Sequence, residues 1–179
     1  VLNQDGSLQF QTGETEIGQG CDTAYTQMVA EAVGVPVESV HVVSTQDTDV
    51  TPFGTGAYAS RQTYIGGFSI MQTAQALRER ILQVIMNILS NAIKYTPDGG
   101  RIVMSAGADR ERVWLEVADN GIGIPDGDRE RIFERFYRVD KARSRESGGT
   151  GLGLSIAQEI IRQHEGSLSL VERPGPGTT

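Results

Sequence analysis

The sequence predicts an α+β protein: a two-layer α/β sandwich over residues 80–179, incomplete at both ends, preceded by a small α+β segment over residues 1–79. Three observations predict it. Apolar side chains recur three and four apart from Ile70 to Tyr95 with no Pro or Gly between, which is the period of a long helix. Two β-rich runs, 101–107 and 113–119, precede a second amphipathic stretch from Leu152 to about Gln163, so strands and helices follow one another as in a layered domain. The charge also changes character near residue 80. Before it stand nine acids against three Arg and no Lys, and after it fourteen acids against thirteen bases, which marks a domain boundary.

Taken in order, Asp5-Gly6 lies between short apolar stretches and predicts a hairpin turn. Residues 22–33 predict a helix with Asp22 as its cap, ended by Gly34 before Pro36. "VHVVS" at 40–44 predicts a strand, followed by a Gly-, Thr- and Ser-rich loop. The helix from Ile70 to Tyr95 would be about 40 Å long at ~1.5 Å per residue. Beyond Pro97, "DGG" predicts a turn, "RIVMSAG" and "VWLEVAD" a strand pair, Arg129 to Phe136 a short helix, and "SLSLVE" a last strand.

Composition narrows the function. A hydrophobic content of 38% suffices for a core, while a net charge of -7 offers no concentrated basic face for nucleic acid. Cys21 is the single cysteine, so no internal disulfide is expected, and neither it nor His41 nor His164 sits in a metal-ligand spacing. No apolar run reaches the length of a membrane span and no signal-like segment opens the chain, which predicts a cytoplasmic protein. A first residue of Val is what a fragment would show.

Chemistry concentrates in three motifs of the second half. Asn87, Asn91 and Lys94 lie four and three apart, so they project from one sector of the helix. Carboxamide oxygens can ligate Mg²⁺ and an ammonium can meet a phosphate, although a solvated helix face has the same pattern. "DNGIGIP" at 119–125 follows a strand directly. Asp119 there can accept from an exocyclic amine while Gly121 and Gly123 let the backbone pass under a planar ring; an acidic turn is the plainer alternative. "GGTGLGLSI" at 148–156 opens a helix, and amides of a glycine loop at a helix N-terminus can cradle phosphate; a glycine linker is the plainer alternative.

In this fixed order, with "IFERFYR" between the second and third, the motifs resemble the ATP-binding domain of sensor histidine kinases, in the superfamily that includes gyrase, Hsp90 and MutL ATPases. "NILSNAIKYTP" is similar to its N box, "DNGIGIP" to its G1 box, "IFERFYR" to its F box and "GGTGLGLSIAQEIIRQHEG" to its G2 box. The resemblance implies ATP and Mg²⁺ as ligands. Asn91 would bind Mg²⁺, Asn87 would support metal and phosphate, Lys94 would approach phosphate and Tyr95 the adenine. Asp119 would recognise the adenine amine above Gly121 and Gly123. Gly149, Thr150, Gly151, Leu152 and Gly153 would form the phosphate loop, residues 138–148 a lid, and Phe133 and Phe136 its buried anchors. Such a module transfers phosphate to a histidine supplied by another domain or chain, so a phosphoacceptor domain and a response regulator are the implied partners. His164, at a helix end, reads as structural, and no dimerisation helix bearing an acceptor is present.

Residues 1–80 carry a different pattern. "TGETEIGQGCDTAYTQMVAEAVGVP" and "DTDVTPFGTGAYASRQT" resemble part of the molybdenum-cofactor subunit of the xanthine dehydrogenase and aldehyde oxidase family. That resemblance would place Gln19 beside a molybdopterin. The family assembles its site from distant segments that this chain does not contain, so hydroxylase activity is not expected; Gly18 and Gly20 then read as turn residues and Arg61 as a surface charge. The chain looks like a chimera, with a seam at about Leu77 to Leu82 inside one continuous helical pattern.

Overall fold

The computed structural model describes residues 1–43, 47, 49–109, 112–139, 150–171 and 175–179. They form an α+β protein that divides into two compact units, Val1–Arg80 and Ile81–Thr179.

The first unit is built on a β–α–β arrangement. Strand β1 (Leu8–Gln11) leads to helix α1 (Cys21–Val33), and strand β2 (Val40–Val43) returns parallel to β1, with Leu8 opposite Val40. The turn at Asp5-Gly6 is held by Gly6 N–H to Asn3 O, and Gly6 has a φ of 84° that suits glycine. α1 starts one residue earlier than its sequence suggests. Asp22 does not cap it: Gly20 occupies that position with a φ of 80°, and no side chain of the capping residue reaches the helix amides. The C-terminus behaves as expected, with Gly34 at a φ of 87° and its N–H on Ala30 O. Leu8, Val29, Ala30, Ala32, Val40 and Ala74 form the core, with Ile70 and Leu77 packed at its margin.

Helix α2 (Gly67–Tyr95) is 29 residues long and runs through the seam without interruption. Its period places Ala74 in the first core and Val84 and Ile88 in the second. Pro97 and the turn closed by Gly100 N–H on Pro97 O prevent further helix.

In the second unit, strands β3 (Ile102–Ala108) and β4 (Val113–Asp119) pair antiparallel, from Ile102 opposite Asp119 to Ala108 opposite Val113. Helix α3 (Gly153–Gln163) packs on α2 through Val84, Ala157 and Ile160, all buried. Where a mixed sheet with a final strand is expected, the described residues hold this hairpin and one antiparallel bridge, Asp119 to Thr178. The predicted strand "SLSLVE" is not formed over 167–171, and Glu172 lies outside the described residues. Alternation alone does not make a strand; the segment needs a neighbour for its backbone groups. Val113, Trp114 and Leu115 correspondingly remain exposed on the hairpin. In place of the predicted helix over Arg129–Phe136 the chain forms one short 3₁₀ turn, Arg131–Phe133, after another at Asp126–Asp128, because Glu134 is extended and Phe136 has a φ of 65°, which end any α-helical run.

Candidate nucleotide site

The second unit gathers three of the predicted motifs around the C-terminal half of α2. Asn87 is half-buried, and its Nδ2 is fully buried without a hydrogen-bond partner. Across from it stands Gly153, the first residue of α3: a Cβ placed there would sit 3.6 Å from Asn87 Oδ1. Helix α2 and the glycine loop are thus in direct contact at the residues expected to face phosphate. An unpaired buried amide nitrogen costs about 1–3 kcal/mol, and it is the kind of group that a bound ligand satisfies. Asn91 is also half-buried, one turn further along α2. Lys94 Nζ lies 5.3 Å from the centre of the Tyr95 ring, held by a cation–π contact, and Tyr95 itself is 44% exposed.

The end of α2 is tied to the "DNGIGIP" loop. Ile122 N–H donates to Tyr95 O at 3.1 Å, which satisfies a carbonyl that the helix leaves open. Gly121 is buried where this crossing is tightest: a Cβ would fall 2.4 Å from Tyr95 O and 2.9 Å from Asp119 Oδ1. Only glycine fits. The half-buried Asp119 carboxylate accepts Gly121 N–H at 2.9 Å and Thr178 N–H at 3.2 Å, both on Oδ1. Among the described residues nothing donates to Oδ2. Gly123 has a φ of 72°, as the turn requires. Asn120, which sequence reasoning passed over, accepts Arg101 N–H on its Oδ1 at 2.6 Å and so closes the open end of the β3–β4 hairpin.

The phosphate loop is only partly within the described residues. Gly149 and residues 140–148 of the predicted lid lie outside them. Thr150 is exposed; Gly151 and Leu152 are half-buried before α3. Gly151 has a φ of 70°, and its carbonyl accepts Phe136 N–H at 2.9 Å. Phe136 is therefore anchored by its backbone, not by the burial expected of it: its ring is 71% exposed, while Phe133 is half-buried. Nearby, Tyr137 Oη donates to Asp128 Oδ1 and its ring lies under Arg131 at 4.2 Å. The bond to Asp128, aided by burial, raises the Tyr137 hydroxyl above its ordinary pKa. A cavity of about 550 Å³ is lined by Arg131 and residues 134–139; it takes in Phe136 and the first two residues of the predicted lid, but none of Asn87, Asn91, Lys94, Tyr95, Asp119 or the described glycine-loop residues. His164 caps the C-terminus of α3 with its N–H on Ile161 O.

The candidate residue of the first unit is engaged by its own chain. Gln19 Nε2 donates to Thr15 O and to Gln62 Oε1, while Gln19 Oε1 accepts Ile17 N–H. Gly18 and Gly20 both have positive φ, as turn residues do. Arg61 is not a surface charge: its side chain is only 17% exposed, and Nη1 reaches both carboxylate oxygens of Glu14, at 2.9 and 3.0 Å. Glu16 emerges as the organising residue that the sequence does not reveal. Its carboxylate accepts N–H groups from Gly18, Gly20 and Asp22, and these bonds lower its pKa to about 2. Burial and the neighbouring Glu16 push the Cys21 thiol up to about 12, and burial likewise raises Tyr25 to about 12.

Residues 76–179 match the family described as histidine kinase-, DNA gyrase B-, and HSP90-like ATPase. The chain belongs to that ATPase family. Its second unit is of the kind that serves as the catalytic ATP-binding module of sensor histidine kinases. The chain is 49% identical to the sensor histidine kinase WalK of Bacillus subtilis over 104 residues, which are 57% of this chain and 17% of that protein. The chain is also 50% identical over 105 residues to the xanthine dehydrogenase molybdenum-binding subunit of Escherichia coli O157:H7, covering 58% of this chain and 14% of that subunit. The two shares of this chain add to more than the whole, so the two matches have residues of this chain in common. Among solved structures, the catalytic domain of histidine kinase ThkA is 34% identical with a TM-score of 0.48, covering 56% of this chain and 63% of that one. The chain thus spans under a fifth of the length of the two curated relatives. No helix among the described residues is long and apolar enough to cross a membrane.

Proposed function

We propose that residues 80–179 bind Mg²⁺-ATP and hold its γ-phosphoryl group for transfer to a histidine supplied by another domain or chain, and that residues 1–79 are a molybdenum-subunit-like segment without a cofactor of its own. The observation that carries the first reading is Asn87, whose Nδ2 is buried without a partner and whose Oδ1 side stands against the start of α3, where the N-box helix and the glycine loop meet. Asn91 and Asn87 offer carboxamide oxygens to the metal, and such oxygens suit a hard cation. When bound, Mg²⁺ neutralises phosphate charge in the transfer. The chain's residues do the rest. Asp119 Oδ2 accepts from the purine amine, Gly121 leaves room for the ring, Tyr95 flanks it, and Lys94 brings a charge to the phosphates. Amides of Gly149, Thr150, Gly151, Leu152 and Gly153 line the phosphate side at the N-terminus of α3.

The phosphoacceptor histidine would come from a separate domain, and a response regulator would receive the phosphate next. ATP as substrate places the chain in the cytoplasm. For the first unit, Gln19 supports a fragment reading, because the amide that would face a molybdopterin is bonded to Thr15, Ile17 and Gln62.

Calorimetric titration of the full chain with a non-hydrolysable ATP analogue and Mg²⁺ tests the main reading. Saturable binding is expected, at least about tenfold weaker in Asp119→Ala, since a bond to a charged acceptor contributes about 1.5–3 kcal/mol. An absence of heat from a chain that circular dichroism shows to be folded would overturn it.

A further inference from the structure

The last residues of the chain close on the carboxylate that the nucleotide reading assigns to the purine. Asp119 N–H donates to Thr178 O at 2.8 Å and Thr178 N–H returns to Asp119 O at 3.2 Å. The same Thr178 N–H also reaches Asp119 Oδ1 at 3.2 Å, where Gly121 N–H arrives at 2.9 Å. Two backbone donors therefore converge on one carboxylate oxygen, one from two residues further along the same loop and one from 59 positions further along the chain. A carboxylate held in this way has its χ angles fixed, and its second oxygen points in one direction only. The approach depends on Gly177. It has a φ of 108°, and a Cβ there would fall 1.9 Å from Asp119 O. Gly123 completes the contact from the other loop, its added Cβ 3.3 Å from Gly177 O.

We infer that the Gly177–Thr178 backbone is a positioning device that sets selectivity for a purine bearing a 6-amino group, acting through Asp119. The inference rests on the reading that Asp119 meets the adenine. Without the clasp the carboxylate rotates and water competes for Oδ2, so the gain from the amino group is lost while contacts to ribose and phosphates remain. A merely structural role would weaken all nucleotides alike. Gly177 is thus a positioning residue, and the relevant quantity is a ratio of affinities.

The probes are ATP and purine riboside triphosphate, which lacks the 6-amino group, titrated with Mg²⁺ into the full chain, into Gly177→Ala and into a chain ending at Pro176. The shortened chain removes the clasp without placing strain at residue 177. The wild-type chain is expected to prefer ATP by roughly 10-fold or more, the effect of one bond to a charged acceptor. In both variants the ratio should fall to near one, with affinity for the analogue unchanged and melting by circular dichroism showing a folded second unit. A folded variant that keeps the wild-type ratio overturns the inference, even when both affinities fall together. A wild-type chain that binds both nucleotides equally overturns the adenine reading of Asp119 itself.

Discussion

Each unit has a glycine-flanked carboxylate that accepts backbone amides, and the two differ in what they leave open. Glu16 takes three N–H groups from the turn that starts α1, and Gln19 beside it has both ends of its amide bonded within the same unit. Asp119 takes two N–H groups on one oxygen and keeps the other, and Asn87 keeps a buried Nδ2 with no partner. Buried polar groups are ordinarily satisfied. The Glu16 turn has used its polar side chains to define itself, although Tyr25 Oη elsewhere in that unit is buried without a partner; the Asp119 and Asn87 groups instead hold binding capacity at some expense of stability. On this ground the difference between the units is a difference between structure and recognition, and it agrees with the ATPase family match over residues 76–179.

The sharpest way to break the comparison is Gly121→Ala. The added Cβ would meet Tyr95 O at 2.4 Å, a backbone atom that cannot move aside without dislodging Ile122 N–H from the end of α2. Overpacking of this kind costs about 1–3 kcal/mol. ATP binding should fall at least 100-fold or disappear, with melting lowered for the second unit alone. Titration calorimetry together with hydrogen exchange resolved by unit would show it. Wild-type affinity in the variant would mean that the loop can open there and that the close crossing is not part of the site.

A smaller and more discriminating effect is expected from a matched pair, Asn87→Ala and Gln19→Ala. Removing the orphaned amide of Asn87 should leave stability unchanged or raise it by up to ~1 kcal/mol, yet weaken Mg²⁺-ATP roughly tenfold. Removing the Gln19 amide should cost about 1 kcal/mol of stability through its lost bonds to Thr15, Ile17 and Gln62, and leave nucleotide affinity as it was. Denaturant unfolding and calorimetry on the same preparations give both numbers. Equal stability losses in the two variants would erase the distinction.

Much of this was legible in the residues because its causes are local. The three-and-four spacing from Ile70 to Tyr95 needs only its own turns, and α2 forms over that range and three residues beyond its start. The order of "NILSNAIKYTP", "DNGIGIP" and "GGTGLGLSI" likewise points to one nucleotide site, and α2 and α3 meet at Asn87 and Gly153. What escaped depends on partners far along the chain or on the sign of φ. Thr178 reaches Asp119 across 59 positions. Glu16 finds its three amides only because Gly18 and Gly20 turn the chain back with positive φ. "SLSLVE" has the alternation of a strand, but among the described residues no strand lies beside it and Val171 N–H on Thr179 O is a single tie; Phe136 has an aromatic ring that suggests burial but a backbone that does the anchoring.

The mildest test concerns Glu16, and its sign can be worked out. Three amide bonds lower its carboxyl from 4.5 to about 2, so the folded first unit prefers the ionised form. The stabilisation is complete above pH 4.5, declines as the pH falls below that value, and is gone below about 2. Because the carboxylate is only half-buried, solvent screens it and the effect is small. Urea unfolding of the first unit followed from pH 6 to pH 2 should show a loss in the wild-type chain that is reduced in Glu16→Gln, whose neutral oxygen still accepts amides at every pH. The second unit should not share that difference, since Glu16 lies in the first. A Glu16-dependent loss of nucleotide affinity between about pH 4.5 and 2, where the carboxylate takes up its proton, would require the two glycine-flanked carboxylates to belong to one cooperative structure, and the separation of a self-satisfied turn from a ligand-ready site would fail with it.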